Sequence, residues 1–233
     1  MRLPLIVDFY HLLPEQNAET EPRRWAQVFR KALAKFKKSV AARYDQSTLE
    51  RLLHAPVAEV RQATVLALGL TGTMHANEAL AARLHDEDPA VAEMAADALW
   101  SLWFRADLPG NNEELQRLMQ MELTDPDAAV IIAGFDALVR RAPRFAEAYN
   151  QRAIVYFRIA EFTKSIADCE RVLRLNPYHF GAASGMAQCF MKQKKLRAAL
   201  RTYRRANRIN PRLNGVRDAI ESLEKILGEE GKR

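Results

Sequence analysis

A chain of 233 residues, 48% of them apolar and only 9 of them glycine, can bury a continuous core, and it carries a formal net charge of +6. Alanine and leucine dominate, which predicts helix throughout. No stretch reaches the roughly 18 to 20 apolar residues of a membrane span. The opening Met1-Arg2-Leu3-Pro4-Leu5-Ile6-Val7 is broken at Asp8 with no small-residue cleavage site after it, a poor signal peptide. Two cysteines, Cys169 and Cys189, are too few for a disulfide framework and read as reduced, buried thiols. A cytoplasmic protein is the expectation.

Residues 1–21 hold an apolar patch, Leu3 to Tyr10 with Leu12 and Leu13, and then a polar run. They read as an N-terminal arm, extended and packed on the body, or as a disordered tail. From Pro22 to Tyr44 the spacing predicts an amphipathic helix. Trp25, Phe29, Leu33, Phe36, Val40 and Tyr44 form its apolar stripe, and Arg23, Arg24, Arg30, Lys31, Lys35, Lys37, Lys38 and Arg43 cover the rest. Such a helix can lie on an anionic membrane. A solenoid also needs an end cap with a polar outer face, and a cap with solvated charges is the expectation. Ser47-Thr48-Leu49-Glu50 reads as a capping box for a helix over Thr48 to Leu53.

A repeat of period 31 follows. Val60, Ala63, Ala67 and Leu68 align with Val91, Met94, Ala98 and Leu99, with Pro56 and Pro89 at the helix starts and Asp88 as a natural N-cap. A shorter helix, Ala76 to Leu84, lies between them after the Thr71-Gly72-Thr73 break. The proline starts, Val60-Arg61 and the Ala/Leu stripe resemble HEAT-like repeats over about Ser47 to Arg105. Some HEAT-repeat proteins are metal-dependent hydroxylases with paired His-Glu dipeptides. The matching helices here read Val60-Arg61-Gln62-Ala63 and Val91-Ala92-Glu93-Met94, so that activity does not carry over. His85-Asp86-Glu87-Asp88 reads as an acidic helix-start turn, since adjacent residues in a turn rarely converge on one ion.

Leu108-Pro109-Gly110-Asn111 is the domain junction, with Asn111 and Glu114 as a second capping box. The expected organisation is an arm at 1–21, a basic capping helix with HEAT-like repeats at 22–110, and a second solenoid at 111–233. That second part repeats every 34 residues. Ala148 meets Ala182, Ala153 meets Ala187, Tyr156 meets Phe190, Asn176 meets Asn210 and Pro177 meets Pro211. Each unit predicts two helices, the first from about Ala146 to Ile159 and the second from near Phe162 to the residues before Pro177. Small residues recur where helices approach, and large ones such as Tyr149, Phe162, Phe190 and Leu196 recur where the pair is filled. The period, the small and aromatic slots and the closing proline resemble the tetratricopeptide repeat. The resemblance extends over roughly Asn112 to Leu227, with a degenerate unit before Pro143 and a C-terminal cap helix from Gly215 to Leu227. It implies an all-α, right-handed α-solenoid of helix-turn-helix repeats that binds a protein or peptide.

The usual glycine of the inter-helix turn is replaced by Ala160 and Lys194, which costs on the order of 1 kcal/mol each if the turn needs a positive φ. The resemblance places the groove at Asn150, Ile154, Phe157, Arg158, Ser184, Gln188, Met191 and Lys192, suited to a segment mixing hydrophobic and acidic residues. The lysine and asparagine pattern that clamps a chaperone's terminal carboxylate in some family members is absent.

No P-loop, GxGxxG, CxxC, HExxH or nucleophile elbow occurs, and the five histidines are scattered. A non-catalytic scaffold without cofactor or metal is expected. The charge map offers an alternative. From Arg171 to Arg217 there is no Asp or Glu, and Arg197, Arg201, Arg204, Arg205 and Arg208 form a stripe along one predicted helix, while Arg51 to Asn111 is acidic in balance. Such a face could neutralise phosphates and bind nucleic acid without base specificity. It could equally be solvated, or meet an acidic protein.

Overall fold

The computed structural model describes residues 3–15, 21–122 and 125–230, so Met1, Arg2 and residues 16–20 of the expected arm lie outside the described residues. Every regular element among the described residues is helical, and the protein is an all-α solenoid of paired helices. Two compact units divide it, Met1–Leu102 and Trp103–Arg233.

The first unit opens with α1, Leu5–Tyr10. The arm is therefore helical here, not extended. Ile6 and Val7 are buried, and the Ile6 N–H donates to the Tyr44 hydroxyl at 3.0 Å. Helix α2, Pro22–Ala41, docks through Phe36 and Val40, the two residues of its stripe that are fully buried. Burial of each contributes about 1.5–3 kcal/mol. Helix α3 spans Gln46–Leu52. Its cap is Asp45, not Ser47. The Asp45 carboxylate accepts the Thr48 N–H at 2.7 Å and the Ser47 hydroxyl at 2.9 Å, while Glu50 takes the Gln46 amide. A carboxylate beside the free N–H groups of a helix start is a stronger acceptor than a hydroxyl. The Thr48 N–H accordingly holds the Asp45 carboxyl below its ordinary value.

Helix α4, Ala58–Thr71, begins two residues beyond Pro56. Two 3-10 turns, Met74–Ala76 and Arg83–His85, flank the short α5, Asn77–Ala82. Helix α6, Pro89–Trp103, starts as the sequence predicts, with Asp88 accepting the Val91 N–H at 2.9 Å. Helices α4 and α6 approach so closely at Gly69 that a Cβ there would stand 2.9 Å from the Ala98 Cβ. The α-helix starts are tied together by one buried cation. Arg61 gives Nε and Nη2 to Asp86 at 3.0 and 2.7 Å and Nη1 to the carbonyls of Ala55 and Pro56. Asp86, read from sequence as part of an acidic turn, is thus an internal counter-ion.

The second unit holds α7, Pro109–Met119, and α8, Asp125–Arg141. The expected Asn111–Glu114 capping box does not form. Pro109 takes the first helical position, where its missing N–H costs nothing, so Asn111 falls inside the helix. Its amide donates to Asp107 at 2.6 Å and its oxygen accepts Arg141 Nε at 2.6 Å. Leu115, Leu118, Ile131, Phe135 and Leu138 pack these two helices onto Phe145 and Ala148. Then come α9, Ala146–Arg158, α10, Phe162–Leu175, α11, Phe180–Lys192, α12, Leu196–Ile209, and α13, Val216–Glu230. Val216 and Leu223 of α13 close the core built on Ala182, Ala183, Ala187, Ala199 and Tyr203.

Candidate functional site

The 34-residue period is a period of hydrogen bonds. Glu161 N–H donates to Tyr156 C=O at 2.9 Å, and Lys195 N–H donates to Phe190 C=O at 2.9 Å. Between each pair the chain passes through the left-handed region, at Ala160 (φ 61°) and Lys194 (φ 58°). The turn does need positive φ, so both side chains carry the strain that the sequence suggests. At the repeat ends Asn176 and Asn210 are buried, and their side-chain oxygens accept the N–H of Tyr178 and Arg212 at 3.2 and 3.0 Å. Asn-Pro is thus an Asx-turn that redirects the chain into the next unit. Equal turns give equal positions. Residues 150, 154, 157 and 158 of α9 have counterparts at 184, 188, 191 and 192 of α11, and the two helices lie side by side.

Those eight positions differ in availability. Ile154 is 40% exposed, and Arg158, Gln188 and Lys192 are exposed. Phe157 is half-buried, edge-on to Phe162 with ring centres 5.6 Å apart. Ser184 and Met191 are half-buried, and Met191 packs against the core. Asn150 is buried, its amide donating to Glu147 Oε1 at 3.0 Å, so it serves the interior.

Glu147 anchors a cluster that sequence reasoning missed. Both its oxygens are buried. Oε1 also accepts Gln151 at 2.6 Å, and Oε2 accepts Nε2–H of His179 at 2.9 Å. The other ring nitrogen, Nδ1, accepts the Ala182 N–H at 3.0 Å, which caps α11 and puts the proton on Nε2. Trp103 stacks on the His179 ring at 4.2 Å. A second polar knot lies at Arg152. It pairs bidentately with Asp168, at 2.8 and 2.6 Å, and with Asp136 at 2.6 Å, and it stands over Tyr149 and Tyr156. The bonds to Asp168 raise the guanidinium further above its already high value.

The cysteines are also structural. Cys189 S–H donates to the Ser165 hydroxyl at 3.2 Å, and that hydroxyl donates to the Ala153 carbonyl at 2.8 Å. Burial, with Cys189 and Asp168 nearby, pushes the Cys169 thiol up to about 12. No group of His, Cys, Asp or Glu that could hold a metal ion occurs among the described residues.

On α12, Arg197, Arg201, Arg204 and Arg208 are exposed and Arg205 is half-buried. Arg204 is held by Glu224 of α13 at 2.7 Å. Lys194, Lys195, Arg197 and Arg201 gather with Leu196, Ala198 and Leu227 around an open cleft of about 460 Å³.

Stacked helix pairs, two of them joined by the same turn, define a helical-repeat protein. Comparison with known families names the two kinds of repeat. The family model for HEAT repeats matches residues 46–139, and that for the tetratricopeptide repeat matches 146–179. The chain carries N-terminal HEAT-like repeats followed by tetratricopeptide repeats. The HEAT match runs through α7 and α8. A TPR repeat-containing protein of Rhizobium etli is 33% identical over 94 residues, which is 40% of this chain and 46% of the relative. The Hsp70-Hsp90 organizing protein of Triticum aestivum is 24% identical over 159 residues, 66% of this chain and 26% of that protein. The chain spans less than half the length of the curated relatives it matches. Among solved structures, the TPR2AB domain of yeast Sti1 in its pHSP90 complex is similar at a TM-score of 0.43 and 20% identity, over 86% of this chain and 78% of that one. No helix among the described residues is long and apolar enough to cross a membrane.

Proposed function

We propose that the chain is a non-catalytic cytoplasmic scaffold that holds a protein or peptide segment along the concave face shared by α9 and α11. The division of labour is an arm at 1–21, a cap with HEAT-like repeats at 22–110, and the partner-binding repeats at 111–233. The observation that carries this reading is the pairing of exposed apolar and cationic side chains without exposed acids. Ile154, the edge of Phe157 and Arg158 reach the surface of α9, and Lys192 that of α11. Helix α11 has no acid, and the single acid of α9, Glu147, is buried. A segment mixing hydrophobic and acidic residues complements that strip. Selection from a random peptide library tests it. The wild type should enrich acidic-apolar sequences that Ile154→Asp and Arg158→Glu no longer bind, both sites being exposed enough to leave the fold intact. If the variants retain the same peptides, the groove is not the site.

The cleft at the start of α12 favours a second reading, nucleic acid bound through the basic face of residues 171–217. Arg197, Arg201, Arg205 and Arg208 would contact phosphates, with Arg204 restrained by Glu224. Anisotropy of labelled RNA and duplex DNA across a salt series separates the two. Phosphate contacts weaken steeply with ionic strength and apolar groove contacts do not.

A further inference from the structure

Helix α2 is a charged surface with no assigned partner. Over Pro22–Ala41 it carries seven lysines and arginines and no acid. All seven are exposed, and none forms an ion pair with another described residue. Their order is regular. Arg23, Arg30 and Lys37 recur every seven residues, as do Arg24, Lys31 and Lys38, with Gln27, Ala34 and Ala41 between the rows. Seven residues advance a helix by about 10.5 Å, so the cations form two rungs of a ladder along one face. The remainder of the unit has the opposite sign. Residues 42–102 hold four arginines and nine acids.

The apolar side of the same helix is only half used. Phe36 and Val40 are buried, but none of residues 22–35 is. Trp25 and Phe29 stack on each other at 4.7 Å and stay partly exposed, and the indole N–H of Trp25 is shielded without an acceptor. Val28 is 49% exposed. Helix α1, which packs against α2, brings Leu3, Leu5 and, just beyond it, Leu12. Among the described residues of the first unit, these four are the large hydrophobic side chains that face solvent.

We propose that α2 and the α1 segment form a docking face for an anionic phospholipid surface. Acidic headgroups meet the cation rows, and Val28, which flanks one row, and Leu12 enter the boundary between headgroups and acyl chains. The exposed apolar residues decide for lipid over nucleic acid. Phosphate binding has no use for exposed leucines, and an aromatic pair stacked on itself offers no free platform for bases.

Flotation of the full chain with vesicles tests this, comparing phosphatidylcholine alone with phosphatidylcholine containing roughly 30% phosphatidylserine. Binding should appear with the anionic vesicles only and fall away at about 0.5 M salt. Changing Arg30, Lys31, Lys37 and Lys38 to glutamine should weaken it about 100-fold or more, since each cation near such a surface contributes roughly fivefold. Leu12→Ser with Val28→Ser should weaken it about tenfold with the charges intact. Circular dichroism should be unchanged in both, because every altered side chain is exposed. Arg158→Glu should leave vesicle binding unchanged, so failure here and failure of the groove reading are distinguishable. Equal binding to neutral vesicles, no binding to either, or full binding by the glutamine variant would overturn the proposal. So would a Ser/Ser variant that binds as well as wild type. If a short RNA binds through the same four cations and vesicles do not, the face belongs to nucleic acid instead.

Discussion

Removing the Asp86 side chain should be among the most damaging single changes to the first unit. In the fold Asp86 accepts Arg61 through two nitrogens, Arg83 Nη1 at 3.2 Å and the Asp88 N–H at 3.1 Å. Asp86→Ala leaves Arg61, 4% exposed, with its Nη1 bonds to the Ala55 and Pro56 carbonyls and one bond of 3.3 Å to Glu87, whose side chain is in water. An abandoned buried charge costs about 3–5 kcal/mol, which lowers the melting temperature of a unit this size by on the order of 10 °C or more. Calorimetry of the full chain, following the transition of the first unit, measures it. The double variant Arg61→Met/Asp86→Leu should recover most of the loss, because the cost lies in the stranded cation and not in a missing attraction. A single variant within about 1 kcal/mol of wild type would refute the pairing, and a double variant as unstable as the single would refute that source of the cost. The effect also depends on pH. Burial pushes the Asp86 carboxyl up, but hydrogen bonds from Arg61 and the Asp88 N–H, with the Arg61 and Arg83 charges, hold it below its ordinary value. The stability it supplies is therefore complete above the unfolded value of about 4 and is lost as pH falls through the depressed one. The gap between wild type and Asp86→Ala should narrow in that acid range.

Ala160→Gly and Lys194→Gly should each stabilise the second unit, by up to about 1 kcal/mol in urea titrations, since both residues hold a positive φ. Glu147→Ala strands three buried or half-buried donors, on Asn150, Gln151 and His179, and should cost about 3 kcal/mol or more by the same measurement. Gly69→Ala should destabilise the first unit by about 1–3 kcal/mol, because its Cβ would collide with that of Ala98. Cys169 and Cys189, buried and with raised thiol values, should be inert to a thiol reagent in the native protein and react fully once it is unfolded.

Much of the architecture was legible because a solenoid writes its structure into its period. The shift that aligns Ala153 with Ala187 and Asn176 with Asn210 also aligns the turn bonds at Glu161 and Lys195. Proline starts and stops bounded the helices within a residue or two. The misreadings have a common cause. Asp45 and Ser47 both suit an N-cap, and only the bond between them shows that the carboxylate holds the helix while the hydroxyl serves the carboxylate. Pro109 and Asn111 both suit a helix start, and the proline prevails because it has no N–H to satisfy. Local sequence names the candidates in such cases, and competition in space chooses among them.

The Glu147–His179 cluster was invisible for a different reason, and it bears on how the stack could work. One period on from Glu147 stands Gly181, and one period on from His179 stands Leu213. A pair without a counterpart leaves no trace in a search for repeats. Its chemistry fits that isolation, because a buried carboxylate needs several donors and takes them from Asn150, Gln151 and His179, with Trp103 of α6 stacked on the last. Asn150, a groove position by the resemblance, is consumed by the interior, and so is its neighbour Arg152. The same holds for Arg204 on α12, which Glu224 retains. Side chains left over after such internal pairing, Ile154, Arg158 and Lys192 on one face and the rows of α2 on another, are those with no structural employment, and binding is most economically sought there.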